Sequence, residues 1–241
     1  MQADNFAGFD RETFERLVTR KIDSKVVLWP FAGFDTVEMG ANPAIHPFSA
    51  RSAQISGKEP AVSDQVHSVT PPSLIFPGAF NPIHEAHLEM AGLAHTRYPI
   101  PLWFEISVLN ADKGSLTFDD ALFRTVQTYG PYGLVLTSAT TFAEKSELFP
   151  GAIFVVGADT IRRVADLKYY DHCRKKFNAA LGTLRRNKCR FLVFARKIGD
   201  KLYTKSNCEL SPDLMQICEF VPAEEFQLDC SSSQIRIEKK Y

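Results

Sequence analysis

The chain has 241 residues, of which 45% are hydrophobic, and its 28 lysines and arginines balance 28 aspartates and glutamates. This length allows one large domain, or one domain of about 150–200 residues with an extension, and the apolar fraction is sufficient for a full core. The balanced charge argues against a protein that binds nucleic acid through a basic surface, although it is compatible with a local basic pocket.

Cysteine usage and the N-terminus predict a reducing, cytoplasmic location. The five cysteines lie at least ten residues apart, so the C-x-x-C spacing of zinc ribbons and redox motifs is missing. The first twenty residues lack the apolar region of a secretory signal, and no apolar run is long enough to cross a membrane. We therefore expect a cytoplasmic protein without a membrane partner.

The first 72 residues differ in pattern from the rest. RETFERLVTR predicts one short amphipathic helix and KVVLWPFAGF one strand, but the stretch from there to Pro71-Pro72 is rich in Pro, Ser, Ala and Gly. We predict a partly irregular extension over residues 1–72, dispensable for an α/β domain over residues 73–241.

From Ser73 onward, apolar strands alternate with helices. Strands are predicted in SLIF, PLWFEISVL, YGLVLTSA, AIFVVGAD and CRFLVFAR. Helices are predicted from about His84 to His95 and in FDDALFRTVQTYG, TTFAEKSELF, DTIRRVADLKYY and HCRKKFNAALGTLRRNK, the last with a solvated basic face rather than a nucleic-acid site. Apolar strands separated by such helices are typical of a parallel sheet covered on both faces. The pattern predicts a doubly wound α/β fold, in which ligands bind beyond the carboxyl ends of the strands.

The stretch PGAFNPIHEAH follows the first of these strands. Gly78 leaves room for a phosphate to approach the backbone, and the helix start behind Pro82 offers free N–H groups that favour anions. His84 and His87 share one face of the first turn and can donate hydrogen bonds to phosphate oxygens. The alternative is that both histidines only cap and pack the helix.

The C-terminal stretch CSSSQIR also suits phosphates. Ser231, Ser232 and Ser233 stand at the start of a predicted helix, where hydroxyls and N–H groups can bind β- and γ-phosphates. Arg236 adds a charge that can pair with two oxygens at once. An ordinary helix cap is the alternative for the serines.

These motifs resemble those of the nucleotidylyltransferase superfamily, whose signature is G-[ST]-F-[DN]-P-x-H-x-G-H after the first strand. GADTIRRVADLKYY is similar to the G-x-D segment of nicotinamide mononucleotide adenylyltransferases, FLVFAR ends in Arg196, and CSSSQIR is similar to I-S-S-T-x-I-R. The resemblance covers Leu74 to Arg236. NADK, ELFPGAIFVVGADT, KYY and EEFQLDCSSSQIR are more closely similar to a eukaryotic branch of adenylyltransferase-like and cytidylyltransferase-like proteins.

The resemblance implies a Rossmann-like fold and site roles for particular residues. His84, His87 and Arg236 would be catalytic. Asp159 would accept hydrogen bonds from a ribose, with a helix cap as the alternative, and Lys113, alternatively in a solvated turn, would bind the acceptor with Tyr169 and Tyr170. The implied nucleotide-binding residues are Gly78, Ala79, Phe80, His84, His87, Gly157, Asp159, Arg196, Ser231, Ser232, Ser233 and Arg236.

The implied activity is transfer of a nucleotidyl group from a triphosphate to a small phosphorylated acceptor, with release of pyrophosphate. We expect AMP transfer from ATP to nicotinamide or nicotinate mononucleotide, with Mg²⁺ bound through the triphosphate and no protein metal ligands. The alternatives are a cytidylyltransferase that uses CTP and a phospho-alcohol, and a nucleotide-binding module without catalysis. The oligomeric state, including an assembly of identical chains, is left open.

Four departures from the family pattern leave every charged group and imidazole in place. Ala79 replaces a serine or threonine and removes a hydroxyl from the loop, and Ala86 replaces a glycine. Tyr169 and Tyr170 stand where a tryptophan is common, which alters stacking on the acceptor. Cys230 replaces an isoleucine.

Overall fold

The structure, a computed structural model, describes residues 5–6, 9–20, 25–28, 73–110, 114–127 and 130–226. Its strands are β1 (Asn5–Phe6), β2 (Phe9–Asp10), β3 (Lys25–Leu28), β4 (Leu74–Pro77), β5 (Leu102–Ser107), β6 (Leu109–Asn110), β7 (Gly114–Ser115), β8 (Gly133–Thr137), β9 (Ile153–Gly157), β10 (Arg190–Phe194), β11 (Arg196–Ile198), β12 (Lys201–Tyr203) and β13 (Cys218–Phe220). Its helices are α1 (Arg11–Val18), α2 (Glu85–Arg97), α3 (Phe118–Thr125), α4 (Phe142–Leu148), α5 (Ala158–Ala165), α6 (Arg174–Arg186) and α7 (Pro212–Met215). In the described residues, no helix is long and apolar enough to cross a membrane.

A seven-stranded sheet in the order β13-β10-β9-β4-β5-β8-β3 forms the centre of the fold. Six of its strands run parallel, and β3, at one edge, runs antiparallel to β8. Parallel neighbours need crossover connections, which place helices on both faces of the sheet. The predicted doubly wound, Rossmann-like α/β fold is confirmed.

Each face of the sheet packs against its own hydrophobic layer. Neighbouring residues of β4 alternate between the layers, since Leu74 and Phe76 belong to one and Ile75 to the other. The first layer contains buried residues of α1, α2 and α3, and the second contains those of α5 and α6. Partly buried Phe142 and Leu148 of α4 pack against the second layer. Burial on both faces explains why the strands were recognisable as continuous apolar runs.

Capping side chains determine where several predicted helices begin and end. α4 begins behind Thr141, which forms a capping box with Glu144. The predicted helix DTIRRVADLKYY is divided, because the Asp166 side chain accepts from the N–H of Lys168 and starts a separate 3-10 turn over Leu167–Tyr170. Sequence analysis missed the hairpin of β11 and β12, α7, and the edge strand β13.

The predicted N-terminal strand joins the sheet, and the predicted N-terminal helix packs on one of its faces. Phe14 and Leu17 of α1 are buried in the first layer, and the Phe14 ring meets Phe118 edge-on at 5.7 Å. β3 forms a ladder with β8 in which Val26 pairs with Leu136. These contacts differ from the expectation that residues 1–72 are dispensable for the core. The domain boundary at residue 72 stays a prediction, and residues 29–72 lie outside the described residues.

A buried ion pair links three elements on the second face. The Lys145 ammonium of α4 lies 2.6 Å from Oε1 of Glu105 on β5, and both side chains are almost fully buried. Lys145 also donates to the carbonyl of Ala139 at 2.9 Å, and the hydroxyl of Thr137 on β8 donates to Glu105. A buried charge is tolerated when it is paired and hydrogen-bonded in this way.

Candidate functional site

The strand order reverses between β4 and β9, which lie side by side at the centre of the sheet. From β4 the chain continues outward to β5 and β8, and from β9 it continues in the opposite direction to β10 and β13. Loops that leave two such strands diverge and form a crevice at the carboxyl edge, where ligands bind in open α/β sheets. Gly78, in the loop after β4, and Gly157, at the end of β9, flank this crevice.

The loop after β4 is built over the ring of Phe80. This ring is 1% exposed and meets Phe76 and Phe104 edge-on. A Cβ atom on Gly78 would lie 2.5 Å from Cζ of Phe80, so the ring requires a glycine at that position. Gly78 thus has a packing role besides the predicted phosphate role, and Phe80 can offer a ligand only its backbone. Ala79 is exposed beside them.

The end of α3 and the residues just beyond it hold the backbone of this loop. Nη1 of Arg124 donates to the Ala79 carbonyl at 2.8 Å. The Gln127 amide donates through Nε2 to the Phe80 carbonyl at 2.8 Å and accepts at Oε1 from the N–H of Ile83 at 2.7 Å. Sequence analysis missed both residues, because in FDDALFRTVQTYG they resemble the polar positions of any amphipathic helix.

His84 and His87 stack on each other at the start of α2, with ring centroids 3.7 Å apart. The backbone N–H of His84 donates to Nδ1 of His87 at 3.3 Å. Because Nδ1 accepts this bond, the proton of a neutral His87 lies on Nε2 and can be donated to a ligand. His84 is 8% exposed, and within the described residues its Nδ1 has no hydrogen-bond partner.

Burial and nearby positive charge keep both imidazoles neutral at pH 7. Burial, and then the charge of Arg196, lower the pKa of His84 to about 4. Burial, the neighbouring His84 and Arg196 lower the pKa of His87 to about 3. Neutral imidazoles can donate hydrogen bonds to an anion without acting as proton donors in a chemical step.

Arg196 begins the hairpin of β11 and β12, two residues after the last residue of β10. Its positive charge contributes to the lowered pKa values of both histidines. The hairpin also carries exposed Lys197 and Lys201, and Arg162 of α5 lies over the ring of Tyr203 at 4.1 Å. Positive charge therefore collects on this side of the crevice, which suits a phosphorylated ligand.

Asp159 lies in the first turn of α5, beside the end of β9. Gly157 is the N-cap residue, so Asp159 does not occupy the cap position. A Cβ atom on Gly157 would lie 2.5 Å from Oδ1 of Asp159, which shows that the carboxylate turns back towards the strand end. It stays partly exposed there, as a ribose ligand would require.

The predicted acceptor residues are described only in part. The Tyr170 ring meets Phe177 edge-on at 5.3 Å, and its hydroxyl donates to the Val164 carbonyl at 3.0 Å, so this side chain packs on the second layer. The ammonium of Lys168 lies 4.7 Å from the centre of the Tyr169 ring. Outside the described residues lie Lys113, Cys230, Ser231, Ser232, Ser233 and Arg236.

The described site residues bring imidazoles, a guanidinium and one carboxylate to neighbouring strand ends. In the part of the chain that the structure describes, no group of three or more His, Cys, Asp or Glu side chains is arranged to hold a metal ion. No family model matches this chain, and no curated protein matches it. The resemblance to nucleotidylyltransferases therefore stays a prediction from the motifs.

Proposed function

We propose that this protein is a nucleotidylyltransferase that transfers AMP from ATP to nicotinamide or nicotinate mononucleotide and releases pyrophosphate. The observation that carries the proposal is the neutral, stacked pair of His84 and His87 beside Arg196, at the switch point of a Rossmann-like sheet. Such a site offers hydrogen-bond donors and positive charge to phosphates where ligands of this fold bind.

The proposed reaction needs positioning and charge stabilisation rather than a protein nucleophile. An oxygen of the acceptor phosphate forms a bond to the α-phosphorus of ATP. The bond from the α-phosphorus to the bridging oxygen breaks, and its electron pair leaves with pyrophosphate. The acceptor phosphate is already ionised at pH 7, so no side chain has to remove a proton. This chemistry agrees with histidines whose pKa values lie near 3 and 4.

In this proposal each described residue acts on a particular part of the substrates. The Nε2–H of His87 donates to a non-bridging oxygen of the α-phosphate, where negative charge builds up. Arg196 pairs its planar guanidinium with phosphate oxygens, and Asp159 accepts from the ribose. The serines and arginine of CSSSQIR would hold the β- and γ-phosphates.

Mg²⁺ fits this site as an ion bound through the triphosphate. Imidazoles whose N–H groups face a ligand, a guanidinium and backbone N–H groups bind anions, so the ion would be held by phosphate oxygens and water. When bound there, Mg²⁺ neutralises charge on the leaving pyrophosphate.

Pyrophosphate release tests the proposal. ATP and CTP are each offered mononucleotide and phospho-alcohol acceptors, and we expect turnover with ATP and nicotinamide or nicotinate mononucleotide. Turnover with CTP and a phospho-alcohol would instead identify a cytidylyltransferase, and nucleotide binding without turnover would identify a binding module.

Two variants test the roles of the histidines. His84→Ala and His87→Ala should each lower turnover roughly a hundredfold or more, as loss of an oxyanion donor does. His95→Ala is the matched control, because His95 lies at the other end of α2 with its Nδ1 3.1 Å from the Ile100 carbonyl. Unchanged turnover in the double variant of His84 and His87 would contradict the catalytic assignment.

A further inference from the structure

The loop that precedes the two histidines has a strained backbone conformation, which contacts with the rest of the domain stabilise. Phe80 adopts a φ of +42°, a left-handed conformation that is unfavourable for a residue with a Cβ atom. Such a conformation persists when surrounding contacts determine it. The buried Phe80 ring supplies one set of contacts, and hydrogen bonds from Arg124 and Gln127 supply another.

Gln127 connects the two ends of the turn. Its amide satisfies the Phe80 carbonyl before the turn and the Ile83 N–H after it, across Asn81 and Pro82. The residue after Ile83 is His84, whose own N–H donates to Nδ1 of His87. Two hydrogen bonds joined by the backbone of Ile83 therefore connect Gln127 to His87, the imidazole whose tautomer matters for donation to a ligand.

Arg124 supports the same loop one residue earlier. Arg124 is only 8% exposed, although a guanidinium is costly to remove from water. The donation to the Ala79 carbonyl uses this buried charge to fix the exposed tip of the loop. Hydrogen bonds from a charged donor are stronger than those between neutral groups, so the contact is well suited to restrain backbone.

We infer that Arg124 and Gln127 are positioning residues that hold the loop from Gly78 to His84, and with it His87 in the first turn of α2, so that both imidazoles face the crevice. This role rests on the function proposed above, because a fixed imidazole matters only if it contacts the substrate. The two residues act through the loop and the histidines and do not touch the reacting atoms themselves. Their loss should therefore lower turnover more than it lowers the affinity for substrates.

The experiment compares Gln127→Leu and Gln127→Glu with the natural chain. Leucine removes every hydrogen bond of the amide. Glutamate keeps the acceptor for Ile83 and loses the donation to the Phe80 carbonyl, together with a longer one to the Arg124 carbonyl at 3.4 Å. Phe123→Ala is the control, because this side chain lies on α3 shortly before Gln127 and is 54% exposed. Each protein is measured for kcat, for the KM of both substrates, and for the ¹⁵N NMR shifts of its imidazoles, assigned by single His→Gln changes.

We expect Gln127→Leu to lower kcat by roughly tenfold to a hundredfold with KM values changed much less. The ¹⁵N shifts of His87 should move from the Nε2–H tautomer towards a mixture of tautomers, and those of His95 should stay unchanged. Gln127→Glu should change kcat and the His87 shifts less than Gln127→Leu does. If the leucine variant does not fold, the glutamate variant tests the inference. Arg124→Lys should retain most of the kcat that Arg124→Met loses.

Two results would overturn the inference. One is a folded Gln127→Leu protein with the kcat and the His87 shifts of the natural chain. The other is a loss of thermal stability in both Gln127 variants without any change of the His87 shifts, which would show a purely structural role. The NMR arm needs no substrate, so it decides on the positioning of His87 even if no triphosphate is turned over and the proposed function fails.

Discussion

Acid should destabilise this protein through His84 and His87. Their pKa values fall from 6.5 to about 4 and about 3 in the folded chain. Below pH 6.5 the unfolded chain therefore binds a proton at each position that the folded chain does not bind. Unfolding takes up protons in this range, so the free energy of unfolding is highest above pH 7 and falls as the pH is lowered towards 4.

The size of the effect follows from the same pKa values. Between pH 7.5 and pH 5, each histidine should reduce the free energy of unfolding by about 2 kcal/mol. Salt and water screen the repulsion among the two rings and Arg196, so we expect about 3 kcal/mol for the pair. A typical domain has a free energy of unfolding of about 5–15 kcal/mol, so this loss is large enough to measure.

Urea unfolding at pH 7.5 and pH 5 is the assay. The natural chain is compared with a double variant, His84→Asn with His87→Asn, in which the pH-dependent loss should be about 3 kcal/mol smaller. His172→Asn is the control, because His172 is exposed and has a φ of +53°, which asparagine tolerates. Equal losses in all three proteins would refute the reasoning, since the histidines would then titrate freely in the folded chain.

Three further predictions concern other parts of the chain. A chain that starts at Ser73 should aggregate in light scattering, because it lacks buried Leu17 and leaves the edge of β8 unpaired, whereas a folded monomer would contradict this. Lys145→Met should lower the free energy of urea unfolding by about 3–5 kcal/mol, since it leaves the buried Glu105 carboxylate without its partner, and adding Glu105→Gln should restore most of the loss. Arg236→Lys should raise the KM of ATP by a factor that corresponds to about 1.5–3 kcal/mol and leave the KM of the acceptor unchanged, because lysine lacks the planar fork of arginine. A rise in the KM of the acceptor alone would show that the triphosphate binds elsewhere.

The sheet was predictable from sequence because its strands are buried on both faces. Phe154 and Val155 stand in an unbroken apolar run, and helices of sufficient length separate such runs, which together define a parallel sheet. β13 could not be recognised, since the three residues Cys218–Phe220 are too few to show a period. The buried ion pair of Glu105 could not be predicted either, because its partner Lys145 is distant in sequence.

The candidate site was predictable where a residue type carries its own chemistry. Glycines and histidines after a strand predict a phosphate-binding loop from the sequence alone. The resemblance implies a nucleotide-binding role for Phe80, whereas the buried ring of Phe80 forms the base of the loop. Gln127 was missed because its role depends on where the end of α3 meets the loop, a contact between distant segments that no local pattern encodes.

The antiparallel edge strand also has a consequence for synthesis. Lys25 pairs with Thr137, so β3 leaves the ribosome long before the strand that it borders. At a translation rate of about 5–20 residues per second, β8 is synthesised roughly ten seconds after β3. The earliest strand of the sheet is thus the one that must pair across the longest separation, which slows folding. During that interval an apolar segment without a partner is exposed, and closure of the sheet at this edge follows the appearance of β8.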